Sequence, residues 1–350
     1  MAKHPLAHLD ASAFGPFGKL DIQLAPGLNV VVGDNATGKS QLLKLLYAAT
    51  KALAEADALT KKDLGTAVAS KLVGAFRPES IGRLSRRVRG TSATDIRIKY
   101  AGIGEPLGVS FSSHAKREVA VSSVPNRELE DEPVFLPPYE LFSLGASFVS
   151  LYNTRETNFE ETWKDTVDLL LRPALRGPRE QRASNLLKPF TEILQGGTVI
   201  EKGGRFYLKQ PGIGNLEAPL LAEGHRKLAM IVRLIASGVL LEGGYLFWDE
   251  PEANLNPASQ KAVAGALVEL ASQGSQIFVA THSMFLLREL QMAAGGIDTR
   301  YIGLARRQAD DAEGRALAEV IAQTSHDLDE IEYVAALEAE AEQAGRYLAW

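Results

Sequence analysis

A chain of 350 residues, 45% hydrophobic and 23% charged, is long enough to bury a substantial core, either as one large domain or as a core carrying insertions. Cysteine is absent, which excludes disulfides, thiolate metal sites, iron–sulfur clusters and cysteine nucleophiles and points to a reducing cytoplasm. The net charge of −5 argues against a general nucleic-acid coat but leaves room for a local basic patch. No apolar run approaches the roughly eighteen residues of a membrane span; the best stretch, 228–248, is cut by Arg233 and Glu242. The opening MAKHPLAHLDASAF lacks the apolar core of a secretory signal.

In chain order, HLDASAF (8–14) and KLDIQL (19–24) alternate as strands around turns at GPFG and APG. The run LNVVV (28–32) reads as a buried strand, and QLLKLLYAATKALAEA as an apolar-faced helix. Between them lies GDNATGKS, residues 33–40. This is a phosphate-binding loop in its mechanistic context. Gly33 and Gly38 permit the tight wrap that points the backbone N–H groups of Asp34, Asn35, Ala36, Thr37, Lys39, Ser40 and Gln41 at phosphate oxygens, and the following helix N-terminus adds partial positive charge. Lys39 is expected to reach the β- and γ-phosphates and the Ser40 hydroxyl to ligate Mg²⁺.

Residues 51–219 read as an insertion. A basic, β-rich region (51–135) holds the strand patterns DIRIKY, LGVSFSS and REVAVSS. Its basic residues Lys71, Arg77, Arg83, Arg86, Arg87, Arg89, Arg97 and Lys99 face only Glu79 and Asp95 in the same stretch. They form either a solvated surface or an arm able to grip DNA or RNA phosphates. After the Pro-rich joint VFLPPYE, residues 136–219 read as a helical lid closed by a hairpin, TVIEKGGRFYLK, turning at Gly203–Gly204.

From 220 to 310 the rhythm is helix, strand, helix, strand, helix, the pattern of a parallel α/β sheet. The strand YLFW delivers Asp249 and Glu250 to its carboxyl edge, where ligands of such sheets bind. Asp249 is placed to hold Mg²⁺ and Glu250 to orient and deprotonate an attacking water; the bland alternative is a solvated acidic loop containing Glu250 and Glu252. The strand IFVAT ends at His282, expected to hydrogen-bond a γ-phosphate and report its loss. The remainder, 311–350, reads as an acidic helical segment with Ile331, Val334 and Leu337 on one stripe, either an outer face with one packed stripe or a partner-docking helix.

Taken together, GDNATGKS, DEPEANLNP and ATHS resemble the ABC-type ATPase superfamily, and within it the OLD-like, AAA-family ATP-binding proteins related to RecF and the SMC ATPases. The resemblance covers 1–50 and 220–290 and implies a P-loop ATPase core, discontinuous over 1–50 and 220–310, on a mixed sheet with an inserted lid. It implies ATP and Mg²⁺ as cofactors and a homodimer that sandwiches ATP. In that dimer the family signature L-S-G-G-Q, which here stands as LAEGH with Ala222, Glu223 and Gly224 at its centre, contacts nucleotide held by the other copy. Arg226 and Lys227 would supply compensating positive charge, and Asn254 and Asn256 would cross the interface. Glu140 falls where the superfamily places a Q-loop glutamine, and Phe14 and Phe17 are candidates either to stack on adenine or to pack in the core. The residues after His282 are too few for the TOPRIM nuclease of OLD-like chains, so the resemblance implies a separate effector protein, as in phage defence or a toxin–antitoxin-like pair. A RecF-like DNA-maintenance ATPase and a slow ATP sensor are the competing expectations; an energy-coupling subunit of a transporter fits less well.

Overall fold

The computed structural model describes residues 2–86, 92–155, 157–241, 243–310, 316–332, 342–343 and 345–347. The chain begins with a hairpin, β1 (Leu6–Phe14) and β2 (Phe17–Gln23), then β3 (Leu28–Gly33), α1 (Lys39–Ala54) and α2 (Lys61–Phe76). Strands β4 (Ala93–Tyr100), β5 (Leu107–Ser112), β6 (Ala120–Ser123) and β7 (Val134–Leu136) follow. Next come α3 (Gly145–Thr154), α4 (Glu161–Leu171) and α5 (Pro178–Ile193), then β8 (Thr198–Lys202), β9 (Arg205–Gln210) and β10 (Gly214–Glu217). The last third holds α6 (Glu223–Ala236), β11 (Tyr245–Asp249), α7 (Pro257–Ser272), β12 (Gln276–Ala280), α8 (Met284–Ala293), β13 (Thr299–Asp310) and β14 (Ala316–Ser325).

Eleven strands form one sheet in the order β6-β5-β4-β1-β2-β14-β13-β3-β12-β11-β7. The stretch from β13 to β7 is parallel, and the β1-β2 and β4-β5-β6 side is antiparallel. The mixed α/β sheet expected from the sequence is therefore present. Strands of the region read as inserted continue this sheet: β4 pairs with β1, and β7 is the edge strand beside β11.

Alternation along the central strands builds two cores, one per face. Val30, Val32, Leu246, Trp248, Ile277 and Val279 join the cluster with α6, α7 and α8. Val31, Tyr245, Phe247, Phe278 and Ala280 point the opposite way, into the cluster with α1 and α2. A period of two with both faces apolar is what a fully buried strand requires. The lid is tied to the core through α4: Tyr47 Oη donates to Asp165 Oδ2 at 2.6 Å, and Lys71 pairs with Glu161 at 2.7 Å. The expected hairpin forms as β8–β9, with Gly203 at φ 61° and Gly204 at φ 75°, the left-handed pair a two-residue turn demands.

One expectation fails in the tail. The segment from 311, read as helical, contains β14, which pairs antiparallel with β13 and lies between β13 and β2 in the sheet. Its sequence ALAEVIAQTS also fits a helix; the open edges of β2 and β13 decide otherwise, because a strand there satisfies backbone groups on both sides. Ile331 is buried in the core but lies outside any helix, and Val334 and Leu337 fall outside the described residues.

Candidate functional site

The parallel order β3-β12-β11-β7 brings four strand ends together: the 33–40 loop after β3, Thr281–His282 after β12, Asp249–Glu250 at the end of β11, and Pro137–Pro138 after β7. These segments, far apart in sequence, share one edge of the sheet, where parallel α/β folds place ligands.

The loop after β3 is wound tightly. Gly33 (φ 150°), Ala36 (φ 61°) and Gly38 (φ 92°) take positive φ, and the Thr37 hydroxyl donates to the Asp34 carbonyl at 2.8 Å. A Cβ on Gly38 would come within 2.7 Å of both Pro16 and Phe17, so only glycine fits. Asp34, Asn35 and Ala36 are exposed, whereas Lys39 is buried. The Lys39 ammonium donates to the carbonyls of Gly33 (2.8 Å) and Asp34 (3.0 Å). Burial lowers its pKa, against the opposing pull of Glu250, Asp249, Glu252 and Asp34. Gln41 extends towards the β1–β2 turn: a Cβ on Gly15 would lie 2.2 Å from its Oε1.

Asp249 is 4% exposed. Burial pushes its carboxyl up to about 6, with Glu250 adding to the rise while Ser40, Lys44 and Lys39 oppose it. Its Oδ1 is buried and, among the described residues, has no hydrogen-bond partner. An orphaned carboxylate oxygen beside a helix-N-terminal hydroxyl suits a hard cation, so Ser40 and Asp249 fit Mg²⁺.

Glu250 is a non-glycine residue at φ 46°, a conformation costing on the order of 1–3 kcal/mol and found mainly at functional sites. Its N–H donates to the Ala280 carbonyl at 2.9 Å, and its Oε1 lies 3.4 Å from His282 Nδ1. The side chains of Glu250 and His282 are both partly open to solvent.

Glu252, read from the sequence only as a solvating loop residue, has a larger part. Its Oε1 accepts from Thr281 Oγ1 (2.7 Å) and from the backbone N–H groups of His282 (2.9 Å) and Ser283 (3.1 Å). It thereby fastens the β11 turn to the entry of α8, where the helix dipole favours an anion, and holds His282 beside Glu250. Each of these three contacts spans about thirty residues of sequence, so no local spacing reveals them.

The LAEGH stretch forms the start of α6, with Ala222 at the N-cap and Ala222 and Glu223 exposed. Among the described residues, Ala222, Glu223 and Gly224 make no hydrogen bond to loop 33–40; their neighbour is the 250–256 turn. Asn254 Nδ2 donates to Glu223 Oε1 at 2.7 Å, and a Cβ on Gly224 would meet the Asn254 carbonyl at 2.7 Å.

Several expected roles change. Lys227 offers no outward charge: it is 1% exposed and bonded to backbone carbonyls inside the fold. Arg226 pairs with Glu140 at 3.0 Å, so that carboxylate is engaged by α6, and it also accepts from the Ser143 hydroxyl at 2.8 Å. Asn256 caps α7, accepting from Ser259 N–H at 2.9 Å. Phe14 and Phe17 are core residues, 1% and 0% exposed, because inward positions of the β1–β2 hairpin face the α1–α2 cluster. Four of the eight basic residues between Lys71 and Lys99 have acidic partners. Lys71 pairs with Glu55 and Glu161, Arg83 with Glu79, Arg86 with Glu319 and Arg97 with Asp95. Arg77 lies over the Tyr152 ring, and Arg87 and Arg89 lie outside the described residues. Among the described residues no helix is long and apolar enough to cross a membrane.

Comparison with known proteins agrees with this architecture. Solved structures with a similar fold include an SMC head bound to the C-terminal winged-helix domain of ScpA (14% identity, 91% of this chain and 97% of that one, TM-score 0.53). A Pyrococcus furiosus SMC head with an extended coiled coil, bound to the C-terminal domain of ScpA, matches at 13% identity over 91% and 96% (TM-score 0.52). A Pyrococcus yayanosii SMC head with a coiled coil and joint matches at 11% identity over 97% and 100% (TM-score 0.56). At such identities the likeness is one of fold, that of an SMC head domain. No curated protein matches the sequence. Residues 113–288, half of the chain, match the family described as "AAA domain, putative AbiEii toxin, Type IV TA system". The chain belongs to that AAA-domain family.

Proposed function

We propose that this protein hydrolyses ATP with Mg²⁺ and uses the nucleotide to join and release two copies of itself. The observation that carries the reading is the buried Asp249, its Oδ1 unpartnered, at the same sheet edge as the Lys39 ammonium and the strained Glu250. Loop 33–40 would cradle the triphosphate through its N–H groups, and Lys39 would exchange the carbonyls of Gly33 and Asp34 for phosphate oxygens. Ser40 and Asp249 would hold Mg²⁺, which supplies charge neutralisation at the phosphates. Glu250 accepts the proton of the attacking water, a step worth about 10²–10⁴-fold in rate. His282, kept beside Glu250 by Glu252, hydrogen-bonds the terminal phosphate.

Beside the loop, a cavity of about 280 Å³ lined by Gly15, Pro16, Ala36, Arg86, Arg306 and Glu319 takes the base and ribose. Arg306, within 3.3 Å of the Ala36 carbonyl, supplies a guanidinium face for stacking in place of the buried Phe14 and Phe17.

The exposed start of α6 supports use of Ala222, Glu223 and Gly224 against nucleotide held by a second copy. Cleavage then removes the contacts that favour the joined state. The family description names a Type IV toxin–antitoxin system, and two similar heads were solved with a ScpA domain bound. Both support a role as the ATPase component of a cytoplasmic multi-protein system, such as phage defence, with an effector partner. Steady-state phosphate release tests the enzymatic claim: the parent protein turns over ATP, and Lys39→Ala does not. Equal release from both would refute it.

A further inference from the structure

The first turn of α6 sends one side chain inward against the hydrophobic gradient of the helix. Lys227 is 1% exposed, and its ammonium donates to the carbonyls of Pro138 (3.0 Å), Glu250 (2.8 Å) and Ala253 (3.2 Å). All three donors of the ammonium are thus engaged, each on a different part of the site: the joint after β7, the strained end of β11 and the turn that carries Asn254. The Glu250 carbonyl also accepts from the Ala253 N–H at 3.1 Å, so both of its lone pairs are used. Burial lowers the lysine pKa to about 8, against the pull of Glu252, Glu250, Asp249 and Glu223.

A buried lysine is costly unless its bonds are needed. A hydrophobic residue would suffice to pack α6, as Leu228, Ile231 and Leu234 do. The bonds of Lys227 instead fix backbone geometry. At φ 46° Glu250 has no intrinsic preference for its observed conformation, and the surroundings must over-determine it. Three residues before Lys227 stands Gly224, packed on the Asn254 carbonyl, and the adjacent Arg226 holds Glu140 on the Pro138 joint. A displacement of the α6 N-terminus therefore reaches Glu250 through one side chain.

From this arrangement we infer that Lys227 is a positioning residue that transmits the placement of the Ala222–Gly224 face to Glu250, setting the carboxylate for attack when that face is engaged. The inference rests on the proposed role of Glu250 in orienting water. It assigns Lys227 no contact with substrate.

The test compares Lys227→Met, Lys227→Gln and Glu250→Gln with the parent chain. Folding is followed by circular dichroism, affinity by a fluorescent ATP analogue, and turnover by phosphate release. Lys227→Met keeps the length of the stem and removes every donor. Its turnover falls on the order of 10²-fold, as for a misplaced catalytic group, while nucleotide affinity stays within about twofold of the parent. Lys227→Gln, which retains an amide donor, falls between Lys227→Met and the parent. Parental turnover in a folded Lys227→Met, or equal loss of affinity and turnover, overturns the inference. Loss of the fold in both lysine variants also overturns it, since Lys227 is then structural alone. Should Glu250→Gln itself turn over at the parental rate, the reading of Glu250 fails, an outcome distinct from an active Lys227→Met beside an inactive Glu250→Gln.

Discussion

Asp249→Asn separates what the site costs from what it does. Burial raises the Asp249 carboxyl from 3.8 to about 6, roughly two units at ~1.36 kcal/mol each, which puts the penalty for ionising it in the folded chain at about 3 kcal/mol. The sign follows from linkage. The folded state holds this proton more tightly than the unfolded state, so the carboxyl costs nothing below the unfolded value and its full penalty above the folded one. Stability is therefore lost as pH rises from about 4 to about 6. The amide introduced by the substitution carries no charge at any pH and resembles the protonated acid in shape and polarity. Urea unfolding of both proteins, with chelator and without nucleotide, reads the effect. Relative to the parent, Asp249→Asn gains about 3 kcal/mol between roughly pH 4 and pH 7.5, with the gain complete above about pH 6.5. With ATP and Mg²⁺ the order reverses if Asp249 holds the metal, because ligand then stabilises the parent while the variant offers only a neutral amide oxygen. A difference between the two proteins that stays flat with pH would refute the buried-carboxylate reasoning.

Other outcomes follow from the same geometry. Gly38→Ala places a methyl within 2.7 Å of Pro16 and Phe17 at φ 92°; nucleotide binding by calorimetry is lost, while Gly265→Ala, where a Cβ meets nothing within 4 Å, binds normally. Asn256→Ala removes the cap of α7 and lowers unfolding free energy by about 1 kcal/mol with no effect on ATP affinity, which distinguishes capping from an interface role. Arg306→Ala weakens ATP binding but leaves inorganic triphosphate binding unchanged if the cavity beside Ala36 holds the base. Titration with duplex DNA at rising salt shows no steep salt slope, because Lys71, Arg83, Arg86 and Arg97 already have acidic partners; a strong slope would reinstate a phosphate-gripping arm.

The tight wrap of 33–40 and the placement of Asp249 and Glu250 are legible in sequence because both are local: a Gly-bounded turn of fixed length before a helix, and two acids at the end of a buried strand. The hairpin at Gly203–Gly204 is legible for the same local reason. What escapes is non-local. Glu252 works by reaching across to the α8 entry after β12, and no spacing encodes that bond. Lys227 reads as a surface charge, yet it lies on the same helical face as Leu228, Ile231 and Leu234, and its buried partners are carbonyls, which carry no side-chain signature. The tail misleads because ALAEVIAQTS suits a helix and a strand about equally; the choice is made by the gap between β2 and β13, a property of the assembled sheet. Strands β4 and β5 look like part of an insertion in one dimension and extend the β1–β2 hairpin in three.

The central claim is that triphosphate holds two copies together and that its cleavage lets them part. Light scattering of Glu250→Gln with ATP and Mg²⁺ tests it most directly, since the proposed role of Glu250 has that variant bind nucleotide without turning it over. The account predicts twice the monomer mass with ATP, returning to the monomer mass with ADP or after Ala222→Trp, which blocks the exposed start of α6. A Glu250→Gln protein that binds ATP and keeps the monomer mass at all concentrations would contradict it.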